Sequence, residues 1–74
     1  MSAILVIRTV QAAEAQATAA TTEGRSMSSS ALLCAQDARR HYEAGRRDTA
    51  RMWALRSLSY SVGVFSPVYK ALAT

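Results

Sequence analysis

The sequence has one cysteine, one histidine and one proline among its 74 residues. A single cysteine, Cys34, excludes an internal disulfide and fits a reducing compartment. A single histidine, His41, has no cysteine or carboxylate cluster around it. It cannot by itself supply the roughly four ligands of a structural zinc site, so neither a metal nor another cofactor is expected. Gly-rich phosphate loops and paired carboxylates are also missing. No stretch approaches the ~20 apolar residues that a spanning helix needs. The apolar run Ile4–Ile7 is cut by Arg8 and has no basic residue ahead of it, which does not fit a secretory signal. A cytoplasmic protein outside the membrane is expected.

These absences bear on stability. Below roughly 70–80 residues one core rarely supplies more than about 3–5 kcal/mol without a disulfide, a metal or a second chain. With the first two set aside, self-association or folding on a partner is left. Half of the residues are hydrophobic, many of them alanine, and the net charge is +4.

The chain divides near residue 30. Ile4 to Val10 is β-branched enough for a strand, but a lone strand has nothing to pair with. Gln11 to Ala20 is alanine-rich and helical by propensity, with no large apolar residue to dock it. Gly24 and the serines at 26 and 28–30 read as a linker. Residues 1–30 are therefore expected to form a flexible or loosely helical arm beside a helical hairpin domain, residues 31–74. The helicity of that domain is expected to survive loss of residues 1–26.

ALLCAQDARRHYEA, residues 31–44, carries a helical stripe: Ala31, Ala35, Ala38 and Tyr42, bordered by Cys34. Ser30 is available as its N-cap and Gly45 as the residue that ends it. Asp48 can cap a second helix reaching Val62 or Val64. On it Ala50, Trp53, Ala54, Ser57, Tyr60 and Ser61 share one side, with Leu58 at the edge. Met52, Leu55 and Val62 lie on another. A helix apolar on two sides is normally buried on two sides, and a hairpin offers cover for one. Ser66 and Pro67 start a short third helix, with Val68, Leu72 and Tyr69 as its inward candidates. The expected architecture is all-α: a helical hairpin plus a short C-terminal helix, assembled as a homodimeric helix bundle.

Ala38, Tyr42, Gly45, Ala50 and Leu58 run as a small residue, an aromatic, a turn glycine, an alanine and a leucine. In this order the segment resembles a single tetratricopeptide-type helical hairpin. Cys34 and Asp37 replace that family's leading tryptophan and leucine, and Val62 its closing proline. The resemblance implies two closely packed antiparallel helices. A lone copy does not imply the family's peptide groove, because about three repeats are needed for a continuous core. Size and layout are also similar to small phage-encoded helical inhibitors of host regulators.

Three chemistries can be weighed. For catalysis, His41 would need a nucleophile and an orienting group, and so short a chain does not easily enclose a dry cleft. A solvated His41, a buried inert Cys34 and no catalytic residue are expected. For nucleic acid, Arg39, Arg40, Arg46, Arg47 and Arg51 form a basic corner suited to phosphates. Acids are interleaved with them, and Met52, Leu55 and Leu58 stand where a recognition helix shows polar side chains. For protein, Arg51–Tyr60 concentrates the Trp, Tyr, Met and Arg enriched at interface centres. The expected partner or dimer surface is Met52, Leu55, Arg56, Tyr60, Val62 and Tyr69. The leading expectation is a non-enzymatic interaction module that modulates, by inhibition, a partner protein such as a transcription regulator or ATPase. A nucleic-acid-binding accessory protein is the alternative. A membrane-surface peptide is disfavoured by the lack of a clean polar face.

Overall fold

The computed structural model describes residues 2–74, and among them the regular elements are all helices. They are α1 (Ala3–Thr22), α2 (Ser28–Glu43), α3 (Arg47–Ser61) and α4 (Pro67–Ala73). The first three form an up-down-up bundle in which each helix packs against the other two. The radius of gyration is 11.0 Å, matching the roughly 11 Å of a compact single chain of this length.

The largest departure from the sequence expectation is α1. Ile4 to Val10 is helical, not extended, and α1 packs against both α2 and α3 rather than hanging off them as an appendage. Val6, Val10, Ala13, Ala17 and Ala20 are fully buried, with Thr9 nearly so. Their spacing of three and four residues is one stripe of a helix. The alanines expected to be too small to dock this segment are what dock it. Without bulky side chains in the seam, helix axes approach toward the ~8 Å lower end of the usual range. Ser2 caps the helix, its Oγ accepting from the Leu5 amide at 3.3 Å. Gly24 ends it with φ +67°.

α2 buries Ala31, Ala35 and Ala38, with Cys34 at 7% exposure, and Tyr42 packs half-buried on the same core. The helix starts at Ser28, ahead of the expected Ser30 cap, and the preceding Met27 takes φ +65° without a side-chain cap bond. Gly45 ends α2 as expected, at φ +82°. Its N–H donates to the Tyr42 carbonyl at 3.0 Å, and the Arg46 N–H donates to the His41 carbonyl at 2.9 Å. This pair of bonds closes the helix end in a Schellman motif. Asp48 is not the cap of α3 but lies in its first turn, where a carboxylate favours the helix dipole.

α3 is the bundle's centre. It buries Ala50, Ala54, Ser57, Leu58 and Ser61. Leu58 sits at the middle of the buried side, not at its edge. Buried Ser57 donates to the Ala31 carbonyl at 2.7 Å, satisfying a hydroxyl that would otherwise be costly inside. Leu55 and Val62, the side thought to lack internal cover, are half-buried against the core, as is Trp53. Met52, the third residue of that side, stays 44% exposed.

α4 starts at the expected place: Ser66 Oγ accepts from the Val68 amide at 3.2 Å. Tyr69 and Leu72 pack on the core, but Val68, expected inside, is 38% exposed. No α4 residue is fully buried. Arg51 ties the helix end down, its Nη2 donating to the carbonyls of Leu72 at 3.3 Å and Ala73 at 3.2 Å. Arg25 does the same for α3, donating to the Ser61 carbonyl at 2.9 Å. Both arginines supply donors to carbonyls that a helix end leaves without partners.

Candidate functional site

Large apolar side chains stay exposed on α1 (Ile4, Leu5), at Met27, on α2 (Leu33), and on α3, α4 and the loop between them; the expected partner residues fall in the last group. Asp48, Arg51, Met52, Leu55, Arg56, Ser59, Val64 and Tyr69 line an open groove of about 440 Å³. Four expected partner residues, Met52, Leu55, Arg56 and Tyr69, are thus brought together. Tyr60 is 38% exposed and Val62 is half-buried; neither lines this groove.

Residues beyond the expected set extend the face. Phe65 is 85% exposed, and Val64 beside it 47%. Gly63, at φ +88°, turns the chain out of α3 and presents them on the loop. Large apolar side chains placed on a connecting segment, outside any helical stripe, are the signal that could have found them. Lys70 Nζ lies 5.9 Å from the Phe65 ring centroid. Arg56 lies 5.3 Å over the Trp53 ring, a cation–π arrangement worth about 0.5–1 kcal/mol at exposed sites. The groove lining thus mixes apolar side chains with Asp48, Arg51, Arg56 and Ser59.

The basic corner is dispersed. Arg39 leaves it for α1, where its Nε and Nη2 donate to the two Glu14 carboxylate oxygens at 2.9 and 2.7 Å. The bond to Glu14 pushes the Arg39 pKa above its already high ordinary value. Arg40 pairs with Asp37 at 2.7 Å, and Arg51 holds α4. Arg46 Nε donates to His41 Nδ1 at 2.9 Å, so His41 is half-exposed but partnered. Arg47 stands exposed at the start of α3. The five residues do not converge on one concave surface.

A second groove, about 400 Å³, lies between α1 and α2 over Leu32, Ala35 and Gln36 and is bordered by the Glu14–Arg39 pair. Cys34 is buried, and burial pushes its thiol pKa up against a smaller opposing effect of Arg56. A thiol so placed has little nucleophilic thiolate. Among the described residues no group of three His, Cys, Asp or Glu is placed to hold a metal, and no helix is long and apolar enough to cross a membrane. Comparison with known proteins finds no matching family model, no similar curated protein and no similar solved structure.

Proposed function

We propose that this chain is a non-enzymatic interaction module that docks a partner protein on its α3–α4 face and modulates it, by inhibition, through occupying one of the partner's surfaces. A transcription regulator or an ATPase is the kind of partner meant. The observation that carries this reading is Phe65, 85% exposed, following Val64, which lines the groove with Met52. Burying one large apolar side chain gains about 1.5–3 kcal/mol, and the fold leaves that gain unused here. Exposed aromatic and apolar side chains beside arginine are what interaction sites present. The homodimer expected from sequence would use this same face.

The nucleic-acid reading loses support because Arg39, Arg40, Arg46 and Arg51 already have partners within the chain. The test compares immobilised wild-type protein with Phe65→Ser and Met52→Glu in source-cell lysate, beside random duplex DNA at rising salt. The proposal expects a protein retained by wild type and lost by both variants, with DNA binding negligible at moderate salt. Salt-sensitive DNA binding without such a protein would transfer the assignment to the alternative.

A further inference from the structure

We propose that the occupant of the α3–α4 face is an acidic amphipathic helix of another protein. Its apolar stripe lies on Met52, Leu55, Val64 and Tyr69, and its carboxylates meet Arg56 and Lys70. This rests on the docking reading above and adds the partner's chemistry. Residues 49–74 hold three cations, Arg51, Arg56 and Lys70, and no acid. Asp48 is the one carboxylate on the groove lining. Arg51 is engaged with α4, whereas Arg56 and Lys70 lie over the Trp53 and Phe65 rings at 5.3 and 5.9 Å. Cations lying beside apolar side chains offer charge-assisted hydrogen bonds to carboxylates and repel a cationic partner. A second copy of this chain would bring the same two cations to the same face, since a two-fold interface pairs a patch with itself.

The partner's conformation follows from the walls. Among the described residues there is no strand, so an extended peptide has no sheet edge to join. A trough between helices accepts a helix that presents residues at three- and four-residue spacing. Met52, unbranched and adaptable, suits that packing. A helix of about 15 residues, roughly 22 Å long, matches the 15 residues of α3 along which it would lie.

The test is a displayed random library of helix-patterned peptides of that length, selected on the intact chain with Met52→Glu as counter-target. Met52 is 44% exposed, and unchanged circular dichroism shows that the variant folds. The expected winners bind wild type at least about tenfold tighter than Met52→Glu, carry a net negative charge and apolar residues at helical spacing, and weaken about fivefold or more on Arg56→Glu. Neutral or basic winners that still discriminate against Met52→Glu would overturn the acidic helix and leave the docking face standing. A dimer in sedimentation that Met52→Glu splits would make a second copy the occupant and overturn the inference. Winners that never distinguish the two proteins would overturn both readings.

Discussion

Arg39 of α2 holds Glu14 of α1 by two bonds of 2.9 and 2.7 Å, a link across the seam that makes the first helix part of the bundle. Both side chains are about one-third exposed, 34% and 37%, so solvent screening limits the gain. A double-mutant cycle of Glu14→Ala and Arg39→Ala is expected to give a coupling of about 0.5–1 kcal/mol in urea unfolding. Arg39→Lys should recover less than half of it, because an ammonium cannot reproduce the planar fork.

The seam itself matters more than the ion pair. Removing residues 1–26 takes away Val6, Val10, Ala13, Ala17 and Ala20, all fully buried. Circular dichroism of the remainder is expected to lose its cooperative thermal transition, not merely a proportionate share of helix. Leu58→Ala, at the largest fully buried side chain, is expected to cost about 2–5 kcal/mol. In a domain this small that is most of the stability.

How α1 escaped the sequence, and the hairpin did not, has a physical basis. Ala31, Ala35 and Ala38 sit between a serine run and Gly45, so their period comes with both ends marked. Ser66–Pro67 marks α4 in the same way. The α1 stripe begins in a β-branched run and continues in alanines, whose weight in any hydrophobic pattern is slight. Tertiary packing overrides the local preference of Ile4–Val10. The site was half legible. Met52, Leu55, Arg56 and Tyr69 share a groove because α4 folds back onto α3, whereas Val64 and Phe65 lie in a loop with no period to read. The corner's charge was visible, but the partner of Arg39 is 25 residues away, and no local rule reaches that far.

At the α2–α3 corner, Gly45 has φ +82° and open space where a Cβ would stand. Substitution there meets backbone strain and no clash. Gly45→Val is expected to destabilise by about 1–2 kcal/mol, lowering the melting temperature, whereas Gly45→Asn should cost less because asparagine tolerates this region. Equal losses for the two variants would show that the conformation is not what matters.

Cys34 gives a pH-dependent prediction. Its folded pKa is raised, chiefly by burial, so the neutral thiol is favoured in the fold. The stability from this group is complete below the thiol's ordinary pKa and is lost as pH rises from there through the raised value. Unfolding free energy should therefore fall at alkaline pH in wild type and fall less in Cys34→Ala. At neutral pH a disulfide reagent should modify Cys34 slowly in the folded protein and rapidly in denaturant.

The most direct measurement is a methyl NMR footprint of the intact chain, with an acidic helical peptide or with random duplex DNA as titrant. The account predicts that the peptide shifts Met52, Leu55 and Val64 while the methyls of Val6 and Val10 stay still, and that DNA moves none of them at moderate salt. Shifts confined to the α1–α2 groove around Leu32, or none on the α3–α4 face, would contradict it.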